Sequence, residues 1–250
     1  MYKQLHITAI IPALNEEDAI GQVVRDLFTL QNQHGNMIID DVIVADNGSV
    51  DFTALRAREA GAQVVSETQR GYGAACLAAI NSITETDVVL FVDGDCSVRV
   101  SQTTLLLDAI SNGADMVIGS RCLGTVEPGS MSLPQHLGNG LIAKIISLLW
   151  RTQVTDIGPF RAIRYPALQN LAMQDRAYGW TVEMQVKALQ QGLVVHEIPV
   201  DCLVRVGRSK VSGTVRGVIG AACGMFGMIA RLWWQGRNAK KATPPIEFNV

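Results

Sequence analysis

Three short polar stretches in the first hundred residues carry the chemistry: Pro12-Ala13-Leu14-Asn15-Glu16-Glu17, Asp46-Asn47-Gly48-Ser49-Val50-Asp51 and Asp93-Gly94-Asp95. Each follows a run rich in Ile, Val and Leu, so each reads as the tip of a buried strand. Carboxylates gathered along one sheet edge repel one another unless a cation or hydroxyl groups lie between them. Asp93 and Asp95 form the sharpest pair. In an extended segment residues i and i+2 point the same way, so both carboxylates can face one ion. A hard divalent cation such as Mg2+ or Mn2+ takes oxygen ligands and shares them between carboxylates and substrate phosphates. Such an ion neutralises a diphosphate and stabilises it as a leaving group. Asp-Gly-Asp is also an ordinary turn sequence; the coincidence of three acidic tips favours the metal.

Other residues admit two readings. The Asp46 carboxylate suits a base edge or a ribose, and Asp46, Asn47 and Ser49 equally suit an Asx turn or helix cap. Arg70-Gly71-Tyr72-Gly73 offers a guanidinium and exposed backbone N–H groups to a phosphate. It narrowly misses the GxGxxG pattern, because Cys76 stands where the last glycine belongs. Arg205-x-x-Arg208-Ser209-Lys210 places three cations and a hydroxyl within six residues, which suits a phosphate or a solvated basic loop.

The elements that must position these groups alternate through residue 120, as in βαβ units around a parallel sheet. Strands are expected over His6–Ile11 (ended by Pro12), Asp41–Ala45, Val64–Ser66, Val88–Val92, Met116–Gly119 and Val194–Val200. Helices are expected over Glu16–Leu30, Asp51–Ala60, Ala74–Ser82, Ser101–Ser111, Gln135–Trp150 and Thr181–Gln190. In open α/β sheets ligands bind beyond the carboxyl ends of the strands, where the polar stretches collect.

A chain of 250 residues, 48% of them hydrophobic, can bury a full core and is no disordered polymer. Its net charge of −2 gives no nucleic-acid-binding field overall. The charge is uneven: residues 205–250 hold eight Lys/Arg against Glu247 alone, a +7 tail on a body of −9. That asymmetry suggests contact with phosphates or an anionic membrane surface, although a solvated, partly disordered tail is expected beyond Arg237. Five cysteines without CxxC spacing argue against a disulfide framework or a zinc site and fit a reducing cytosol. The start, Met1-Tyr2-Lys3-Gln4-Leu5, has no signal-peptide pattern. Val218–Trp234 is apolar but interrupted by Arg231, short of the ~20 apolar residues of a spanning helix. Its Trp233-Trp234 pair suits a headgroup-level anchor; a helix packed on the body, or paired through Gly220-x-x-x-Gly224, suits it as well. One domain over 1–215 with an apolar, basic appendage over 216–250 is the expected organisation.

Taken together the blocks resemble the family 2 glycosyltransferases of the GT-A fold, specifically the dolichyl-phosphate mannosyltransferase-like branch. The segment from Ile11 to Glu17 resembles that family's opening donor motif. Asp46-Asn47-Gly48-Ser49-Val50-Asp51 resembles its D-(D/N)-G-S-x-D turn, Arg70-Gly71-Tyr72-Gly73-Ala74-Ala75 its RGxGxA segment and Asp93-Gly94-Asp95 its DxD motif. Gly119-Ser120-Arg121, Thr155–Ala162 and Arg205–Lys210 resemble later blocks in the expected order, so the likeness covers residues 6–215. It implies a Rossmann-like, mostly parallel sheet with helices on both faces, and inverting transfer of a hexose from a UDP- or GDP-sugar. It assigns donor binding to Pro12, Ala13, Leu14, Asn15, Glu16, Asp46, Gly48, Ser49, Arg70, Gly71, Gly73, Asp93 and Gly94. Mg2+ or Mn2+ falls to Asp93 and Asp95. Many relatives place a Gln shortly after the DxD, where Ser97 stands here, so the third protein ligand stays open. Arg121, Arg161, Arg205, Arg208, Ser209 and Lys210 fall on the acceptor and phosphate side.

A catalytic base is needed for a hydroxyl acceptor and not for a phosphate, which is already anionic. Asp156 and Glu183 are the candidates, and both also suit structural roles, Glu183 as a helix N-terminal acid. The expected partners are a nucleotide-sugar donor, a polyprenyl-phosphate acceptor and a membrane surface, with no nucleic acid. A homo-oligomer is compatible with the sequence. The expected location is cytoplasmic, peripheral on the inner face of the cell membrane. A sugar-nucleotide nucleotidyltransferase would need a Gly- and Arg-rich first turn, and a dehydrogenase its glycines after strand one; the first turn here is Pro-Ala-Leu-Asn-Glu-Glu. A non-catalytic nucleotide-sugar-binding module would bind donor without turnover.

Overall fold

The computed structural model describes residues 1–32, 34–207 and 215–242. Seven strands form one sheet: β1 (Ile7–Ala13), β2 (Asp41–Asp46), β3 (Gln63–Ser66), β4 (Val88–Phe91), β5 (Met116–Ser120), β6 (Arg161–Arg164) and β7 (Val195–Pro199). Their order is β3-β2-β1-β4-β6-β5-β7. All pairings are parallel except those of β6, which runs antiparallel between β4 and β5. The carboxyl ends of β1, β2, β4 and β5 therefore share one edge, and the reversed β6 brings its first residue, Arg161, to the same edge.

Strand β1 runs through Pro12 to Ala13 rather than ending at the proline. Ile10 O still accepts from Val92 N, while Asn47 N donates to Ala13 O on the β2 side. By alternation Pro12 faces the β4 side just beyond the last ladder bond, so its missing N–H removes no pairing.

Helices cover both faces. On one, α1 (Ile20–Thr29), α2 (Thr53–Glu59) and α4 (Thr103–Ser111) bury Ile20, Val23, Leu27, Ala57, Leu106 and Ile110 against alternate residues of β1 and β4. On the other, α3 (Tyr72–Asn81), α6 (Tyr165–Leu171) and α7 (Trp180–Gln190) bury Ala75, Ala79, Leu168, Trp180 and Met184. The short run Val88-Val89-Leu90-Phe91 sends Val88 and Leu90 into the first core and Val89 and Phe91 into the second, as a strand buried on both faces must.

A third cluster joins α5 (Leu133–Trp150), α7 and α8 (Val215–Ala242) through Ile142, Ile146, Val182, Val186, Met228, Ile229 and Leu232. The apolar C-terminal segment is thus a helix packed on the body. It continues past Arg237 to Ala242, where a disordered tail was expected. The Arg237 guanidinium lies 4.5 Å from the Trp233 ring centre, and Asn-Ala-Lys-Lys-Ala extends the helix with mostly good helix formers. Among the described residues no helix is long and apolar enough to cross a membrane.

Candidate active site

A cleft of about 360 Å3 opens at the carboxyl edge of the sheet. Its walls come from the tips of β1 (Pro12, Ala13, Leu14, Glu16) and β4 (Asp93, Gly94, Asp95), from Asn47 after β2, and from Arg70, Gly71, Tyr72 and Ala75 at the start of α3. Ala177, Tyr178 and Arg205 close it from later in the chain.

The loops after β1 and β2 are laced together by their polar side chains. Asn15 N donates to Ser49 Oγ (2.9 Å) and Val50 N to Asn15 Oδ1 (2.9 Å). Glu16 N donates to Thr53 Oγ1 (2.8 Å), and Phe52 N to Glu17 Oε2 (3.0 Å). Asn15, at φ 52°, accepts the left-handed region that asparagine tolerates. The Asp46 carboxylate accepts from Ser49 N (3.2 Å) and so caps its own turn; it does not line the cleft. Its neighbour Asn47, absent from the sequence-derived site, takes that place. Asn47 Nδ2 donates to Glu67 O (3.1 Å) and Gln69 O (2.7 Å), and its Oδ1 accepts from Gly71 N (2.8 Å). One side chain thereby fixes the course of the Arg70-Gly71 turn.

Close packing requires the glycines of that turn. A Cβ on Gly71 (φ +147°) would stand 1.9 Å from Arg176 O, and one on Gly73 2.1 Å from Asp175 O. The first amides of α3 are occupied: Gly73 N donates to Ala177 O (3.3 Å) and Ala74 N to Arg176 O (3.0 Å). Segment 174–177 is held in turn by Glu183, whose carboxylate accepts from Gln174 N (3.1 Å) and Asp175 N (2.7 Å) and pairs with Lys187 Nζ (2.8 Å). Glu183 is a brace for the loop that carries Ala177 and Tyr178 and does not itself line the cleft.

Asp156, fully buried, meets Arg121 in a two-pronged pair: Nε to Oδ2 at 2.9 Å and Nη2 to Oδ1 at 2.7 Å, with Arg121 N adding a third bond (2.7 Å). Burial opposes ionisation of Asp156, but the Arg121 hydrogen bonds and charge win and hold its pKa below the ordinary 3.8. Arg161 is buried too, donating to Gly158 O (2.7 Å), Thr181 O (2.7 Å) and Gln185 Oε1 (3.3 Å). Burial pulls its pKa down to about 10. Neither arginine lines the cleft.

Asp93 and Asp95 do open onto it together. Gly94 permits the turn, since a Cβ there would meet Ile20 Cδ1 at 3.1 Å and Ile11 Cγ2 at 3.2 Å. Tyr72 donates its hydroxyl to Asp93 Oδ1 (3.2 Å). Burial raises the Asp93 pKa, against the Tyr72 bond and the charges of Arg205 and Arg121. Asp95 is 2% exposed; its Oδ1 accepts from Ser97 N (3.0 Å), while its Oδ2 receives no well-formed hydrogen bond and abuts the Arg205 guanidinium as an ion pair. Segment 203–206 is tied alongside by Leu203 N to Ser97 O (2.9 Å) and Val206 N to Asp95 O (2.9 Å). Arg208, Ser209 and Lys210 lie outside the described residues. Among those described, no third His, Cys, Asp or Glu joins the two aspartates as a ready-made metal cluster.

Tyr72, Asn47, Ala177 and Tyr178 were missed by sequence reasoning. The two glycines flanking Tyr72 did signal a close backbone neighbour, without saying which.

A mostly parallel sheet whose carboxyl edge carries an Asp-x-Asp pair opening onto a cleft defines the GT-A class of sugar transferases. Residues 8–172 match the family model described as Glycosyl transferase family 2, and the chain belongs to that family. It is 33% identical to an uncharacterised glycosyltransferase of Mycobacterium tuberculosis, over 85% of this chain and 93% of that one. It is 28% identical to the undecaprenyl-phosphate mannosyltransferase of Micrococcus luteus, over 94% of this chain and 99% of that protein. Among solved structures, glucosyl-3-phosphoglycerate synthase of M. tuberculosis, in complex with Mn2+, UDP and its product, superposes with a TM-score of 0.74 at 20% identity, covering 93% of this chain and 81% of that one. The chain is a glycosyltransferase.

Proposed function

We propose that this enzyme transfers a hexose, with inversion, from a UDP- or GDP-sugar in the cleft to a polyprenyl phosphate. The observation that carries the reading is the joint opening of Asp93 and Asp95 onto one cleft. Two carboxylates beside a diphosphate are a fitting donor set for Mg2+ or Mn2+, the remaining ligands coming from phosphate oxygens and water. When bound, the ion supplies charge stabilisation to the departing diphosphate. Pro12, Ala13, Leu14 and Asn47 line the side suited to the nucleoside, and Arg70 adds a guanidinium to the same cleft. The UDP and Mn2+ of the structurally similar synthase support a nucleotide donor and a divalent ion.

A phosphate acceptor brings its own negative oxygen and needs no base. That agrees with the two candidate bases, whose oxygens are taken by Arg121 in one case and by Gln174, Asp175 and Lys187 in the other. The similarity to the undecaprenyl-phosphate mannosyltransferase of Micrococcus luteus supports the same acceptor class. Lipid docking is supported by α5. Leu133, Leu137, Leu141 and Leu148 are 71%, 62%, 51% and 69% exposed and fall on one face of that helix with Lys144, opposite its buried Ile142 and Ile146. An apolar stripe carrying a cation suits a helix lying at a headgroup boundary.

The test is a thermal-shift panel of UDP- and GDP-sugars with and without Mn2+. One nucleotide should raise Tm, more so with the metal, and the shift should vanish in Asp95→Ala. No shift with any donor would sink the proposal; a shift without turnover on polyprenyl phosphate, but with turnover on an alcohol, would sink the acceptor assignment.

A further inference from the structure

Arg205 reaches the cleft from more than a hundred residues downstream, and its guanidinium rests on Asp95 Oδ2, the oxygen best placed to ligate a cation. Two backbone bonds, Leu203 N to Ser97 O and Val206 N to Asp95 O, hold its segment against the Asp-Gly-Asp turn. The position is therefore built into the fold, while the side chain keeps 30% of its surface exposed. A buried carboxylate oxygen needs a positive partner, and a guanidinium seated on it occupies the approach a divalent ion would take. Arg121, the other cation acting on Asp93, is fixed to Asp156 and unable to exchange.

We propose that Arg205 is an internal counter-cation for Asp95 that a divalent ion must displace, so that metal entry releases the guanidinium to the cleft, where phosphate becomes its next partner. The idea rests on the metal-assisted reading above. It makes metal and phosphate binding sequential: phosphate meets a free Arg205 only after Asp95 has changed partners. Coupling of this kind is reciprocal, so whatever weakens the Arg205–Asp95 pair must tighten the metal.

The experiment measures Mn2+ binding directly, by the loss of the free-ion electron paramagnetic resonance signal, for wild type, Arg205→Gln and Arg205→Lys, each with and without UDP. Without UDP, Arg205→Gln should bind Mn2+ about tenfold more tightly than wild type, and Arg205→Lys, which keeps a cation, should stay near wild type. Arg205→Gln should also melt lower than wild type and regain more Tm on adding Mn2+, because Asp95 is otherwise left buried and unpaired. With UDP present the gain should shrink, since wild-type Arg205 then finds phosphate. Equal or weaker Mn2+ affinity in Arg205→Gln without UDP overturns the competition while leaving the transferase reading intact. A wild type that binds neither Mn2+ nor Mn2+·UDP overturns both.

Discussion

At the scale of single residues, the carboxylates differ in whether they open onto the cleft. Asp93 and Asp95 face the cleft, whereas Asp46, Asp156 and Glu183 satisfy protein N–H groups or cations. Asp156 is the clearest case, because it neutralises an arginine with which it forms three hydrogen bonds. Asp156→Asn should lower the unfolding free energy by about 3–5 kcal/mol, the usual cost of removing one member of a buried pair. Urea denaturation measures it. The folded pKa of Asp156 lies below its ordinary 3.8, so its stabilising contribution is present above that value and is lost as pH falls through the folded value. The acid limb of the wild-type stability profile below 3.8 should accordingly flatten in the variant. Turnover per folded molecule that collapses in a variant of unchanged stability would instead make Asp156 a base.

At the scale of elements, the site depends on the docking of segment 174–177 onto the start of α3. Gly73→Ala forces a Cβ to within 2.1 Å of Asp175 O, a backbone atom that cannot swing aside. The variant should lose about 1–3 kcal/mol, as overpacked sites do, and should bind UDP more weakly because Ala177 and Tyr178 move with the loop. Gly138→Ala is the contrast. Gly138 sits inside α5, with open space around its missing Cβ, so alanine should stabilise by about 0.5–1 kcal/mol without changing UDP affinity. Calorimetric Tm and UDP titration on both variants check the pair. The sequence set Gly73 in a donor motif and left Gly138 unremarked; the neighbours decide the sign of each alanine.

At the scale of the whole molecule, the exposed leucines of α5 predict how the enzyme meets its acceptor. Wild type should co-sediment with vesicles of phosphatidylcholine and phosphatidylglycerol. Leu137→Glu with Leu141→Glu should reduce partitioning by about tenfold, given partial burial of two leucines, and leave transfer to a short, water-soluble prenyl phosphate intact. Equal sedimentation of both proteins would place the docking surface elsewhere. The same scale shows where sequence reading succeeds and where it stops. The βαβ alternation, the strand tips and the Asp93–Asp95 pair were legible because hydrophobic periodicity and i, i+2 geometry are local. Strand β6 and helix α6 were not assigned. Arg-Ala-Ile-Arg is a four-residue strand flanked by arginines, with no alternation long enough to read, and its place between β4 and β5 is set by pairing on both sides.

By itself, then, the sequence determined that a parallel sheet would carry acidic tips along one edge and that a divalent ion and a diphosphate suit them. Only the tertiary structure decided which of those polar groups face the cleft. Whether a carboxylate is free depends on its partners, far along the chain for Asp156 (Arg121) and Asp95 (Arg205), and nearer for Glu183 (Lys187 and segment 174–175). Residue type and spacing fix what a side chain can bond to, but long-range packing fixes what it does bond to, because each buried polar group must find its partner wherever the fold places one.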